Sequence, residues 1–209
     1  MRKSLLLILL LAVACSALPL MAAPLPAITF PNLTGESLGN GPFTLGWQFT
    51  LSQSVTVTGL GAFDDSQDGL AESHDVGIWD AMGNLMGSTT VAAGTVDPLV
   101  NQFRYASVSF TLAPGTYEIG ALWLDGADNN LFPGDVTTYS TAPGVTFVQN
   151  SYIAGGTLTD PTNSVDTEAA YFGPNFLYTA STTPEPGTLL MLGSGLVMLG
   201  GAVRRKLML

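Results

Sequence analysis

Oxygen-bearing side chains recur at alternate positions in FDDSQDGLAESHD, Phe63 to Asp75. Counted from Asp64 they stand at positions 1 (Asp64), 3 (Ser66), 5 (Asp68), 9 (Glu72) and 12 (Asp75), with Gly69 at position 6 and the Leu70 carbonyl at position 7. This is the spacing of a calcium loop, in which alternate residues converge hard oxygen donors on the cation and a glycine permits the sharp turn. Ca2+ is therefore the cofactor these residues suggest. The setting is not that of an EF-hand, because strand-like sequence flanks the loop on both sides, and position 12 is Asp where a bidentate Glu is preferred. The competing reading is a solvated acidic connection between two strands, with Asp and Gly serving the turn and charge serving solubility. A second acidic and amide-rich run, Asp125, Asp128, Asn129 and Asn130 with Asp135 beyond, is a candidate to lie at the same end of the domain.

Other chemistries find fewer residues. His74 is the only histidine, and its neighbours Ser73 and Asp75 point to the opposite face of a strand, so a structural role is expected of it. The chain has no serine nucleophile elbow, no Gly-rich phosphate loop and no His or Cys pair at zinc spacing. The expectation is a protein that is not an enzyme. The alternative is a hydrolase acting on glycans through two carboxylates across a cleft, although nothing in the sequence selects such a pair. Among the three tryptophans, Trp47 and Trp123 share the parity of neighbouring apolar residues and are assigned to the core. Trp79 shares its parity only with Gly77, and is the candidate among the three for stacking on a sugar face, with burial as the competing reading.

These residues must be carried by strands. In LGWQFTL, Leu45, Trp47, Phe49 and Leu51 alternate with small or polar residues, which buries one face at period two. In VTVTGLGAF the parity slips at Gly59, the expected place for a β-bulge. Further strands are predicted over 75–79, 84–91, 103–112, 116–124, 145–152 and 170–178, with an edge strand near 27–30. Tight turns fall at Asp80 to Asn84 and at Ala113 to Gly115. With 24 Gly, 13 Pro and only 11 % charged residues, the fold class is all-β. The architecture expected is an antiparallel β-sandwich, jelly-roll-like.

Charge and the two ends decide the setting. Fifteen of the 16 acids lie between the terminal segments, with Arg104 as the only base there. No basic surface exists to displace phosphate counterions, which excludes nucleic acid as a partner and leaves cations and neutral glycans. Residues 1–23 read as a signal peptide: Arg2 and Lys3, an apolar stretch from Leu5 to Ala14, then small residues around Ala17 and Ala22. The single cysteine, Cys15, lies within it, where AVAC also resembles a lipobox; either way the mature domain has no disulfide. The division expected is 24–180 for the β-sandwich domain, 181–187 for a linker, 188–203 for a transmembrane helix and 204–209 for a basic cytoplasmic tail. The apolar run Leu189 to Val203 spans roughly 22 Å as a helix, against a bilayer core of ~30 Å.

The last 25 or so residues, TPEPGTLLMLGSGLVMLGGAVRRK, closely resemble the PEP-CTERM sorting signal: Pro184-Glu185-Pro186, a Gly- and Leu-rich apolar run, then Arg204, Arg205 and Lys206. The resemblance implies that exosortase, a membrane peptidase of bacteria that make extracellular polysaccharide, recognises the signal and cleaves near Pro-Glu-Pro. It implies an exported protein of the cell envelope, outer surface or extracellular matrix, anchored transiently in the inner membrane before processing. More loosely, LGWQFTLSQSVTVTGLGAFD, GLAESHDVGIWDAMGNLMGSTTV and LAPGTYEIGALW resemble the uncharacterised β-sandwich ectodomains that precede this signal. From these together the sequence suggests a non-enzymatic module that binds or organises exopolysaccharide.

Overall fold

The computed structural model describes residues 23–31, 38–39, 41–124, 126–131, 138–165, 171–180, 193–196 and 203–205. Its strands open with the short β1 (Leu25–Pro26), β2 (Ile28–Thr29) and β3 (Leu38–Gly39), followed by β4 (Phe43–Leu51), β5 (Val55–Phe63), β6 (His74–Asp80) and β7 (Leu85–Val91). Then come β8 (Leu99–Val100), β9 (Phe103–Leu112), β10 (Gly115–Trp123), β11 (Asn129–Asn130) and β12 (Ser140–Thr141). The last three are β13 (Val145–Ala154), β14 (Asn163–Val165) and β15 (Pro174–Ala180). One sheet has the order β1-β15-β5-β9-β8 and a second the order β14-β13-β4-β10-β6-β7; two small pairs, β11-β3 and β12-β2, lie beside them. Every pairing is antiparallel. The mostly-β, antiparallel expectation thus holds, and the long strands fall close to the predicted spans.

Alternation explains why these strands form. Leu45, Trp47, Phe49 and Leu51 of β4 are all buried, and they meet the other sheet through rings. Trp47 stacks on Phe176 of β15 with centroids 6.1 Å apart, and Phe49 lies 4.8 Å from the same ring. The Trp47 Nε1–H donates to the Pro174 carbonyl at 2.9 Å, which satisfies the one polar atom that this burial would otherwise orphan. Each buried ring contributes about 2 kcal/mol by removal from water. The slip predicted at Gly59 is present: β15 pairs Leu177 with Gly59 and Tyr178 with Val57, so Thr58 is the extra residue on β5.

The turn at Asp80 to Asn84 closes β6 onto β7. Asp80 Oδ1 accepts from the Met82 and Asn84 N–H groups, both at 2.9 Å, and Gly83 takes φ of +79°, a conformation open to glycine. The signal peptide lies outside the described residues except for residue 23. Of the expected transmembrane segment, 193–196 and residue 203 are described, and they are helical. Among the described residues no helix is long and apolar enough to cross a membrane.

Candidate functional site

The acidic loop between β5 and β6 is held by partners far away in the sequence. Asp64 is buried, and its Oδ2 accepts from Arg104 Nε at 2.6 Å and from the Gly69 N–H at 3.1 Å. The other Arg104 nitrogens reach the Asp97 and Gln67 carbonyls at 3.1 and 3.3 Å. The only base of the ectodomain thus closes the loop from inside. The Leu70 carbonyl accepts from the Gly94 N–H at 2.7 Å, Glu72 Oε1 from the Leu124 N–H at 3.3 Å, and Asp75 Oδ1 from the Thr90 hydroxyl at 2.6 Å. Ser66 and Asp68 are exposed. Among the described residues no three His, Cys, Asp or Glu side chains gather as metal ligands. The oxygens of the calcium spacing, Asp64, Ser66, Asp68, Leu70, Glu72 and Asp75, do not gather here: Arg104, Gly94, Leu124 and Thr90 draw four of the six to other partners, and the arrangement braces the loop.

Two members of the second acidic run, Asp128 and Asn129, meet this loop, while Asp125 and Asp135 lie outside the described residues. Asp128 accepts from the Ala71 and Glu72 N–H groups at 2.8 and 2.9 Å, and Asn129 Nδ2 donates to Asp65 at 3.0 Å. His74, the first residue of β6, is fully buried against Trp123, with ring centroids 4.1 Å apart. Its Nδ1 faces the Leu122 carbonyl at 2.9 Å and its Nε2 faces Asp128 Oδ2 at 3.0 Å. Both neighbours are acceptors, so a neutral imidazole satisfies one of them and a charged imidazolium satisfies both. Burial pushes the Asp128 carboxyl up, but the hydrogen bonds from His74, Ala71 and Glu72 together outweigh it and hold it below the ordinary Asp value. Among the described residues the ring nitrogens meet only the Leu122 carbonyl and Asp128, and the dyad ties the start of β6 to the loop that carries Asp128.

Trp79, the stacking candidate, is only 5 % exposed. It does project from the outer face of the second sheet, as its parity requires, but the ring folds over Gly77, where a Cβ would stand 2.9 Å from Trp79 Cη2. A residue without a side chain two positions away supplies the bed that buries the ring. The same outer face is crossed by the chain after β13. Pro161 is buried there over Gly120, whose Cβ would stand 3.1 Å from the proline ring, and the Thr159 N–H donates to the Thr44 hydroxyl at 3.2 Å.

Where this crossing segment meets the sheet, a cavity of about 170 Å³ opens, lined among others by Gln48, Asp80, Glu118, Gln149, Asp160 and Thr162. Glu118 projects from β10 opposite Trp79 of β6 and is buried, with Gln48 donating to Oε2 at 3.3 Å and the Ser151 hydroxyl bonded to Oε1. Burial pushes its carboxyl up to about 8, despite those two hydrogen bonds, and the Asp160 charge adds to the rise. Asp160 is raised as well, by burial and by the charge of Asp80. At neutral pH the cavity thus presents a mostly protonated carboxyl beside carboxylates, amides and a hydroxyl, a set that can donate to and accept from a polyol. Sequence reasoning did not single out these residues. The available signal was Glu118 itself, an acid inside the otherwise apolar strand TYEIGALW.

Of the sorting residues, Arg204 and Arg205 are described and exposed, whereas Pro184, Glu185, Pro186 and Lys206 lie outside the described residues. No curated protein and no solved structure matches the chain. Residues 182–206 match the PEP-CTERM protein-sorting motif, so this chain carries that signal behind a mostly-β ectodomain, and the signal implies export and sorting by exosortase to the cell envelope or surface.

Proposed function

We propose that the two sheets are the layers of an exported β-sandwich, of the jelly-roll-like kind that the sequence suggests, which binds or organises exopolysaccharide outside the cell. The observation that supports this reading is the sorting motif at residues 182–206, because export to the cell envelope or surface would bring the domain within reach of such polymers. Before processing, residues 188–203 hold the precursor in the inner membrane with residues 204–209 on the cytoplasmic side. The ligand site in this reading is the cavity at Gln48, Glu118 and Asp160 rather than Trp79. Two points support it: the lining offers both donors and acceptors to hydroxyls, and an acidic surface with one buried base suits a neutral polymer better than an acidic one.

The test is co-sedimentation of the full-length, detergent-solubilised protein with exopolysaccharide from a producing bacterium, with calcium and with chelator. Retention of the wild type, and its loss in a Gln48→Ala, Asp160→Asn variant of unchanged circular dichroism, is the expected result. Absence of retention in both conditions would overturn the proposal. One observation favours a second reading: a protonated Glu118 in the same cavity as Asp160 has the ingredients of an acid and a base for glycoside hydrolysis. Shortening of the polymer by the wild type, abolished in Glu118→Gln, would replace binding with hydrolysis.

A further inference from the structure

The two large sheets end in four outer strands, and three of them are blunted. Among the described residues β1 and β8 have two residues each and β14 has three, and Pro26, Pro98 and Pro161 lie in or shortly before them. Short length and proline are the usual ways of closing a sheet edge to further pairing. The fourth, β7, has seven residues, LMGSTTV, with no proline and no charge. Leu85, Met86, Ser88 and Thr90 are exposed along it, and Met82 stands 83 % exposed at the tip of its hairpin. β7 pairs Leu85 with Trp79 and Gly87 with Ile78, so Met86 is the extra residue of a bulge and Leu85 lies by Gly77 on the outer face. Beyond it Gly87 lies over Phe110 of β9, with the ring 2.5 Å from where a Cβ would be, so Gly87, Thr89 and Val91 face inward, while Ser88 and Thr90 face away. The nearby acids are engaged locally: Asp75 with Thr90, Asp80 with Asn84, and Asp97 with the Ala92 N–H at 2.7 Å.

We propose that two copies of this chain associate through β7, their edges pairing antiparallel about a twofold axis. An open strand edge presents backbone donors and acceptors that another strand satisfies. Beyond the bulge at Met86, the run from Gly87 to Val91 turned by a twofold offers its outward N–H groups carbonyls and brings no charge against another, and because the contact is isologous it closes at two copies. Charge favours this occupant over a basic partner. Fifteen acids against one base would draw a cation-rich protein to the acidic surface, not to the one long uncharged edge. Self-association of like-charged copies then tightens as salt screens their repulsion, whereas docking of a basic partner weakens.

The experiment is sedimentation of the full-length protein in detergent at low and high salt, comparing wild type with Ser88→Glu, which sets like charges against each other across the paired edges. Ser164→Glu on the short β14 edge is the control. The expected result is a dimer that strengthens with salt, survives Ser164→Glu and is lost in Ser88→Glu, with melting temperatures unchanged because residues 88 and 164 are exposed. A dimer that Ser88→Glu leaves intact, or a monomer at every salt concentration, would overturn the proposal. Should Ser88→Glu disturb folding, oxidative cross-linking of a Cys15→Ser, Ser88→Cys chain decides the matter. A disulfide-linked dimer is expected, and its absence when Ser164→Cys is equally unlinked would count against the pairing.

Discussion

Glu118 shows how one side chain can set the response of a domain to pH. Its carboxyl titrates at about 8 in the folded protein, against 4.5 for an ordinary Glu. Between those values the folded state keeps a proton that the unfolded chain has released. Its contribution is therefore fully present below about 4.5 and is lost as pH rises through about 8. Glu118→Gln keeps the shape, cannot ionise, and is expected to remove that slope, raising the melting temperature at pH 8 by at least about 3 °C. Thermal melts at pH 5, 7 and 8 check it; equal slopes in both proteins would refute the assignment. Asp128 acts in the opposite sense, since its folded value lies below the ordinary one and its share of stability goes as pH falls through that value. The two carboxyls together favour a mildly acidic optimum.

At the scale of elements, the loop between β5 and β6 depends on Arg104 of β9. Arg104→Met is expected to cost about 3–5 kcal/mol, because it leaves Asp64 charged and buried without its partner; denaturant unfolding measures this, and a change under 1 kcal/mol would mean that the loop relaxes into water. This loop also marks where sequence reading stops. Long strands were legible because period-two alternation is local: Leu45, Trp47, Phe49 and Leu51 announce their buried face within seven residues. The turn at Asp80 was legible for the same reason. Short strands such as β8 and β14 were not, since they exist through pairing with partners distant in sequence. The oxygen spacing from Asp64 to Asp75 was misleading in a related way. Arg104 lies 40 residues beyond Asp64, and nothing in the loop announces it, although a lone base among fifteen acids invited the question of which acid it serves. For Trp79 the missing term was Gly77, whose bare backbone gives the ring somewhere to lie.

For the molecule as a whole, the match at residues 182–206 makes processing the event that separates precursor from product. In cells with exosortase, the proposal expects a shortened protein released from the inner membrane; in cells without it, the full-length chain stays in the membrane fraction. Fractionation and immunoblotting distinguish the two, and full-length membrane-bound protein in both cells would restore a permanent anchor. The placing of the bases has one more outcome. Between Lys3 and Arg204 the only lysine or arginine is Arg104, which is 5 % exposed and tied to Asp64. A protease of trypsin specificity thus finds a single, hidden bond in the whole ectodomain. The folded protein is expected to outlast such enzymes, and one cut into two fragments would signal that the domain has opened.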